Sequence, residues 1–330
     1  MYKGKARAYT NIALIKYWGK ENKELIIPMN NSLSLTLDAF YTETMVTFSY
    51  DYLADSFYLD GQQQDEKATK KVSRFLDLVR QKANCSLFAT VESHNFVPTA
   101  AGLASSASGL AALAGACNEA LTLDLSPSAL SRLARRGSGS ARRSIFSGFV
   151  EWEKGSDDAS SQAVPILSDH WEEELAMIFI LIDDQQKEVS SRDGMERTVE
   201  TSAFYDGWLS SVNDDLKEAK AAIADKNFQA LGAVAEANAL KMHGTTLAAN
   251  PPFTYWSPDS LKAMNLVRHI RQTGVPCYFT MDAGPNVKVL CQKSEVPAIM
   301  AALETQFSKD RLTCAYSGPG LTILETEVNK

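Results

Sequence analysis

The carboxylate of Asp282 is the first candidate for chemistry in this chain of 330 residues. It ends a predicted strand at 275–282 and precedes a Gly284–Pro285 turn. An aspartate at the end of a buried strand can present its carboxylate to a ligand. It can equally be a turn residue whose side chain bonds its own backbone. The residues alone leave both alternatives open.

A loop rich in small and hydroxyl residues, 98–109 with the sequence PTAAGLASSASG, precedes an Ala-rich predicted helix. Small residues let the backbone approach a polyanion closely. The unpaired N–H groups and the dipole of a helix's first turn favour a phosphate at that place. The Ser106 hydroxyl could also ligate a phosphate-bound Mg²⁺, which takes oxygen ligands. The alternative is a Ser-rich cap ahead of a tightly packed helix.

Basic side chains gather in three further segments. Lys16 and Lys20 stand beside two aromatic residues near the end of a predicted strand in 11–20 (NIALIKYWGK). Residues 137–144 (GSGSARRS) can form a backbone nest for an anion, and arginine can bind a carboxylate through two parallel hydrogen bonds. Residues 187–195 (KEVSSRDGM) lead into a helix. These segments suit an anionic ligand, although solvated lysines and a flexible basic loop remain the alternatives.

The bulk composition excludes several classes of protein. The net charge of -7 argues against nucleic acid as a partner of the whole chain. The five cysteines lack a CxxC pair and the four histidines lack metal-ligand spacing, so we expect reduced thiols in a cytosolic protein without a zinc site. The apolar run at 176–182 is too short to span a bilayer, and 1–10 lacks the apolar region of a signal peptide.

Strand and helix patterns are intermixed along the chain and predict an α+β fold. Strands are expected in 34–50, 87–91, 176–182, 275–282 and 287–290. Helices are expected in 67–82, 110–120, 229–242, 259–272 and 295–307, with 195–224 mostly helical. A further helix begins at Pro127 with Ser126 as its cap. The length suits two lobes, which we place at 1–175 and 176–330.

Four motifs carry a resemblance to a known family. The pattern PxxxGLxSSA in 98–107 resembles the phosphate-binding motif of the GHMP kinases. Residues 11–20, the Gly-Ser-Arg loop at 137–144 and MDAGPN at 281–286 resemble the mevalonate diphosphate decarboxylases of that superfamily. Because the motifs occur in the family's order over most of the chain, the chain is identified as a member of that family.

The resemblance implies a two-lobed GHMP-kinase fold. Its N-terminal lobe would be ribosomal-S5-domain-2-like and hold ATP, and its C-terminal lobe would be ferredoxin-like. The implied reaction is the ATP-dependent decarboxylation of mevalonate 5-diphosphate to isopentenyl diphosphate, with ATP and Mg²⁺ as cofactors. The implied protein is a cytoplasmic homodimer that binds neither nucleic acid nor membrane. A GHMP kinase that stops at phosphorylation and a non-catalytic binding protein on the same fold remain the alternatives.

The same resemblance assigns roles to residues. Asp282 would orient or deprotonate the 3-hydroxyl, Lys187 would neutralise charge on the transferred phosphoryl group, and Arg143 would bind the C1 carboxylate. The substrate-binding residues would be Tyr17, Trp18, Gly19, Lys20, Lys71, Ser138, Gly139, Ser140, Ala141, Arg142, Arg143, Ser191 and Arg192. The cofactor-binding residues would be Ser93, Asn95, Ala101, Gly102, Leu103, Ala104, Ser105 and Ser106, with Ser106 also the metal ligand. Because adjacent residues of an extended segment point to opposite sides, we expect Arg142 to be exposed or in a salt bridge.

Overall fold

The structure of the protein is a computed structural model that describes residues 1–96, 106–182 and 188–325. Its strands are β1 (Tyr2–Ile15), β2 (Lys20–Asn22), β3 (Ile27–Pro28), β4 (Ser32–Ser49), β5 (Ser56–Leu59), β6 (Gln62–Gln63), β7 (Phe88–Phe96), β8 (Phe149–Glu153), β9 (Gln162–Pro165), β10 (Leu175–Ile180), β11 (Cys277–Met281), β12 (Val287–Gln292), β13 (Leu312–Tyr316) and β14 (Thr322–Leu324). Its α-helices are α1 (Glu66–Ala83), α2 (Ser106–Ala120), α3 (Pro127–Gly137), α4 (Ser191–Thr201), α5 (Tyr205–Ala224), α6 (Phe228–Leu247), α7 (Pro258–Gln272) and α8 (Val296–Leu303). Short 3₁₀ helices lie at Gly139–Ile145, Trp171–Glu174, Lys293–Glu295 and Lys309–Arg311.

The first sheet is built on the long antiparallel pair of β1 and β4. Its order is β14-β1-β4-β7-β5-β6, with β8 paired to β4 and β9 to β8. Helices α1, α2 and α3 pack on it around an apolar core, to which β1 contributes Ala6 and Ala8. Small residues let α2 lie close to β1, since a Cβ at Gly4 would stand 2.2 Å from the carbonyl oxygen of Ala116. The alanine-rich sequence of α2 is therefore what this packing requires.

The second sheet is antiparallel, in the order β11-β12-β10-β13, and packs against helices on both faces. Met177 and Phe179 of β10 belong to a core shared with α5 and α6. Ile178 and Ile180 belong to a second core shared with α7 and α8. A strand that is buried on both faces carries no polar side, which explains the uninterrupted apolar run in the sequence.

The two sheets share one core. Phe40 of β4 belongs to the same apolar cluster as Phe179 and Trp208, and the rings of Phe40 and Phe179 meet edge-on with 4.6 Å between centroids. The chain also returns to the first sheet at its end, because β14 pairs antiparallel with β1. The division into lobes at Leu175 stays a prediction. The shared apolar core and the pairing of β14 with β1 fix how the two halves of the chain meet.

The α+β class predicted from the sequence is confirmed. The predicted cap is also confirmed, since the Ser126 side chain accepts a hydrogen bond from the Ala129 amide at 3.3 Å. The stretch at 195–224, predicted to be mostly helical, contains the last part of α4 and the whole of α5. Ser202 is the C-cap of α4 and separates the two helices. Strands β13 and β14 were not predicted. None of the described helices is long and apolar enough to cross a membrane.

Candidate active site between the two halves

A cavity of about 870 Å³ lies between the two halves of the chain. The described residues of its wall include eight basic side chains and two acidic ones. The basic residues are Lys16, Lys20, Lys71, Arg74, Arg136, Arg143, Arg192 and Lys288, and the acidic residues are Glu24 and Asp282. This local excess of positive charge, in a chain of net charge -7, suits a polyanionic ligand.

Asp282 follows β11 directly, and each of its carboxylate oxygens contacts a lysine. Lys16 Nζ donates to Asp282 Oδ1 at 2.9 Å, and Lys288 Nζ lies 3.1 Å from Oδ2. Both lysine side chains are almost wholly buried, whereas 40% of the Asp282 side-chain surface is accessible, and this residue lines the cavity. The carboxylate therefore belongs to the cavity and is fixed there by two cations.

The two lysines determine the charge state of Asp282. Burial alone would raise the pKa of this carboxyl group. The charges and hydrogen bonds of Lys16 and Lys288 outweigh burial and hold the pKa of Asp282 well below its usual range. A general base works best with a pKa near the operating pH. Asp282 is therefore a permanent negative charge and hydrogen-bond acceptor at neutral pH, and a poor general base.

Burial lowers the pKa values of both Lys16 and the nearby His243 of α6, but to different extents. Burial lowers the pKa of Lys16 to about 8, against the attraction of Asp282, which raises it. Burial and the charge of Lys16 lower the pKa of His243 to about 3, so its imidazole stays neutral. Lys16 thus changes charge within the range of ordinary assays, and His243 does not.

We expect kcat/KM to fall as the pH rises through about 8, because Lys16 then loses the charge that helps to hold Asp282. A pH profile of kcat/KM at saturating nucleotide measures this. The control is the thermal midpoint over the same range. Between about 8 and 10.5 the unfolded chain binds the proton that native Lys16 has lost, so this titration makes the fold more stable with rising pH. A flat profile up to about pH 9.5 would show that the charge of Lys16 does not contribute to the reaction.

The aromatic segment that follows Lys16 is held by the C-terminal half. Trp18 Nε1 donates to Thr198 Oγ1 of α4 at 2.7 Å, and the Tyr205 hydroxyl donates to the Trp18 carbonyl oxygen at 2.7 Å. Tyr17 packs against Trp152 with 4.6 Å between ring centroids. Tyr17, Trp18 and Lys20 line the cavity. One segment of the N-terminal half therefore forms the cavity wall and also anchors α4.

Replacement of Gly19 by alanine is expected to lower the free energy of unfolding by about 1–3 kcal/mol, the usual cost of overpacking. Gly19 has a φ of +110°, and an added Cβ would stand 2.0 Å from the Tyr205 hydroxyl oxygen. Chemical denaturation measures the loss. Gly61→Ala is the matched control, since Gly61 has a φ of +78° and no neighbour within 4 Å of the added Cβ. Equal losses in the two variants would mean that backbone strain, and not the contact with Tyr205, is responsible.

The Gly-Ser loop is a 3₁₀ helix, Gly139–Ile145, that presents Arg143 to the cavity. Arg143 Nε donates to Asn11 Oδ1 at 3.1 Å, and Arg143 Nη1 donates to Ser32 Oγ at 2.7 Å. Asn11 in turn donates to the Ser140 carbonyl oxygen at 3.0 Å. These bonds fix the orientation of the guanidinium group before any ligand binds.

Arg142 lies elsewhere, and the expectation that it is exposed or ion-paired is wrong. Its side chain is fully buried, stacks 4.3 Å above the Trp152 ring centroid and donates to the hydroxyl and carbonyl oxygens of Ser161. Among the described residues it neither forms an ion pair nor lines the cavity. The alternation rule holds for extended chains, whereas successive residues of a 3₁₀ helix lie about 120° apart.

Several other predicted residues line the cavity wall, and three of them stand at helix starts. Ser191 and Arg192 form the first turn of α4, where the Ser190 side chain accepts the Asp193 amide at 3.1 Å. Ser106 is the first residue of α2 and also lines the cavity. Lys71 in the second turn of α1 also lines the cavity, as do Ser138, Gly139 and Ser140. Helix N-termini beside basic groups are suited to bind phosphate.

Other predicted residues do not reach the cavity wall. Gly19 packs against Tyr205, and Ala141 is fully buried in the core of the first sheet. Ser93 and Asn95 lie in β7, where their side chains bond threonine side chains of β4. The predicted residues Ala101, Gly102, Leu103, Ala104, Ser105 and Lys187 lie outside the described residues.

Lys288 is a site residue that the sequence reasoning missed. It lies in β12 between Val287 and Val289, and only 4% of its side-chain surface is accessible. A lysine within an apolar strand pattern is the signal that could have found it, because charged side chains are seldom buried unless paired. Lys16 was recognised as basic but was given no role.

The described residues contain no group of three His, Cys, Asp or Glu side chains that could hold a metal ion. The Ser106 hydroxyl lies on the cavity wall, where it could serve as an oxygen ligand for Mg²⁺. The donor set therefore fits a magnesium ion that is carried mainly by the phosphates of a nucleotide.

Comparison with known proteins agrees with the resemblance in the motifs. Residues 8–163 match the model of the diphosphomevalonate decarboxylase-like N-terminal domain, and residues 176–327 match that of the mevalonate 5-diphosphate decarboxylase C-terminal domain. The diphosphomevalonate decarboxylase of Candida albicans is 35% identical over 323 residues, a match that covers 93% of this chain and 89% of that protein.

Solved structures have a very similar fold. The mevalonate diphosphate decarboxylase from Enterococcus faecalis is 64% identical with a TM-score of 0.95, over 98% of this chain and 99% of that one. A structure described as MDDEF in complex with MVAPP, AMPPCP and magnesium is 65% identical with a TM-score of 0.96, at the same coverage. These likenesses confirm the two-lobed GHMP-kinase fold class. Since the two domain models together span most of its length, the chain belongs to the diphosphomevalonate decarboxylase family.

Proposed function

We propose that this chain catalyses the ATP-dependent decarboxylation of mevalonate 5-diphosphate to isopentenyl diphosphate, with release of ADP, phosphate and CO₂. The observation that carries the proposal is Asp282, held between Lys16 and Lys288 on the wall of a strongly basic cavity. The related structure with MVAPP, AMPPCP and magnesium supports the use of ATP and Mg²⁺.

The basic wall accounts for the binding of two polyanionic substrates. The first turn of α4, with Ser191 and Arg192, binds the 5-diphosphate together with Lys20. Arg143 binds the C1 carboxylate, and its bonds to Asn11 and Ser32 orient it in advance. Preorganisation of this kind reduces the ordering cost of binding.

Asp282 accepts a hydrogen bond from the 3-hydroxyl and directs its oxygen toward the γ-phosphate of ATP. The pKa of Asp282 lies far below that of an alcohol, so the proton leaves the 3-oxygen only as this oxygen bonds the γ-phosphorus and the bond from that phosphorus to ADP breaks. The proton passes to an oxygen of the transferred phosphoryl group, and a loose transition state reduces the need for earlier deprotonation. When bound, Mg²⁺ supplies neutralisation of phosphate charge. The contribution of Lys187 stays a prediction.

Asp282 also stabilises the second step. The C3–O bond breaks as the 3-phosphate leaves, and positive charge develops at C3. The C1–C2 bond then breaks, its electron pair forms the C2–C3 double bond, and C1 departs as CO₂. A fixed carboxylate beside C3 stabilises this charge without reorganisation, and such preorganised electrostatic stabilisation is usually the largest single contribution to catalysis.

Incubation of the protein with mevalonate 5-diphosphate, ATP and Mg²⁺ tests the proposal. We expect CO₂ and ADP in equal amounts, with isopentenyl diphosphate as the organic product. ADP without CO₂ would identify a kinase that stops at phosphorylation. Bound substrates with neither product would identify a non-catalytic binding protein.

We also infer a cytoplasmic location, which the five free cysteines support, because a reducing compartment keeps thiols unpaired. The homodimer and the lobe boundaries at 1–175 and 176–330 stay predictions from the sequence. Light scattering at a known protein concentration tests the oligomeric state, and a mass of one chain would contradict the homodimer.

A further inference from the structure

Two buried amide side chains hold the backbone of Lys16. Its N–H donates to Asn238 Oδ1 of α6 at 2.8 Å, and its carbonyl oxygen accepts from Asn30 Nδ2 at 2.8 Å. The Lys16 side chain donates from Nζ to the Ala13 carbonyl oxygen at 2.7 Å and to Asp282 Oδ1 at 2.9 Å. Lys16 lies just after the end of β1, so side chains replace the missing strand partners.

The amide orientation of Asn238 is set by a second buried group. Asn238 Nδ2 donates to Asp215 Oδ2 at 2.8 Å, and Lys241 Nζ donates to Asp215 Oδ1 at 2.7 Å. An ionised carboxylate only accepts hydrogen bonds, so the NH₂ group of Asn238 must face Asp215. The carbonyl oxygen of Asn238 must then face the Lys16 N–H. Asn238 is fully buried and Asp215 nearly so, which excludes competing water.

Asn238 and Asp282 both lie in the C-terminal half, whereas Lys16 lies in the N-terminal half. The bond from Asn238 to the Lys16 backbone therefore sets the N-terminal lysine at a fixed distance from the C-terminal carboxylate. We infer that Asn238 is a positioning residue for the reaction, which acts by holding Lys16 in place against Asp282. This inference rests on the proposed function and deepens it.

Asn238→Leu, a change of similar size, tests the inference. It removes the acceptor of the Lys16 N–H and leaves the cavity wall intact. We expect kcat to fall about tenfold to a hundredfold with each KM within about threefold, because Lys16 and Asp282 act in the transition state. In a crystal structure of the variant, Lys16 Nζ should lie beyond hydrogen-bond range of Asp282 Oδ1, above about 3.5 Å.

A double variant separates positioning from a purely structural role. Asn238→Leu leaves Asp215 buried without its amide donor, whereas Asn238→Leu with Asp215→Leu removes both members of that pair. Lys241 then loses Asp215, but its side chain is 40% exposed and can turn to water, so the double variant should recover thermal stability. If kcat stays low while stability recovers, Asn238 positions Lys16. If kcat recovers with stability, or if Asn238→Leu has the parental kcat, the inference is wrong. The double variant also serves if the single variant does not fold.

Thr245→Val on the same helix is the matched control. Its buried hydroxyl bonds the Met242 carbonyl oxygen within α6 and does not contact Lys16. We expect a parental kcat for this variant, and a loss equal to that of Asn238→Leu would overturn the inference. A parent enzyme that forms neither CO₂ nor ADP would contradict the proposed function. The distance between Lys16 and Asp282 in the variant crystal would still decide the role of Asn238.

Discussion

Replacement of Asp282 by asparagine is expected to lower kcat by about a thousandfold or more, because it removes a charge that acts chiefly in the transition state. Asparagine preserves the shape of the side chain and can still accept hydrogen bonds through its amide oxygen. It removes the negative charge between Lys16 and Lys288 and beside the carbon that becomes positive. Steady-state kinetics with both substrates, together with direct binding measurements, give the result.

Substrate binding should survive this replacement. The cavity becomes more positive by one charge, and both substrates are polyanions, so neither affinity should fall. The fold should be less stable, because the buried Lys16 and Lys288 lose the carboxylate that compensates their charges. Asp259→Asn is the control, since Asp259 pairs with Arg311 at 3.6 Å on the surface and should leave kcat unchanged. A kcat for Asp282→Asn within about tenfold of the parent would remove Asp282 from the mechanism.

Replacement of Arg143 by alanine is the second large effect that we expect. A hydrogen bond to a charged group contributes about 1.5–3 kcal/mol, so kcat/KM for mevalonate 5-diphosphate should fall about tenfold to a hundredfold. Kinetics at saturating ATP measure the change. Some loss of stability will accompany it, because Asn11 and Ser32 lose their partner.

Arg142→Ala is the matched comparison, since the adjacent arginine is equally buried but does not line the cavity. It should lower the thermal midpoint by uncovering Trp152 and Ser161, and should reduce kcat/KM of the folded protein far less than Arg143→Ala does. A larger loss of kcat/KM at Arg142 would reverse the assignment. Equal and small losses would mean that another group holds the carboxylate.

Much of the site could be predicted from local patterns. Asp282 became a candidate because a strand, an acid and a tight turn follow one another in the sequence, and the resemblance of the motif at 281–286 to the family gave it its role. Ser191 and Arg192 were assigned because the stretch 187–195, which leads into a helix, resembles the substrate contacts of the family. Each of these signals needs only a few neighbouring residues, and the structure places all three side chains on the cavity wall.

The other features of the site and the fold depend on contacts between residues that are distant in the sequence. Lys288 faces Asp282 because β11 and β12 pair across a tight turn, which fixes the direction of the Lys288 side chain. Asn238 bonds a residue 222 positions away, and no local pattern distinguishes it from any helical asparagine. The position of Arg142 could not be predicted from the alternation of side chains in extended chains, because its segment is a 3₁₀ helix. The pairing of β14 with β1 is likewise set by the whole fold.

The most direct test concerns the charge of Asp282 during the reaction. Protein labelled with ¹³C at the aspartate carboxyl carbons can be titrated in complex with mevalonate 5-diphosphate and a non-hydrolysable ATP analogue, with Asp282→Asn identifying the resonance. If Asp282 is a fixed charge held by Lys16 and Lys288, its carboxyl shift will stay that of the ionised form from about pH 5 to pH 9. A protonation midpoint between about pH 5.5 and pH 8 would contradict this assignment and identify Asp282 as a general base tuned for proton transfer.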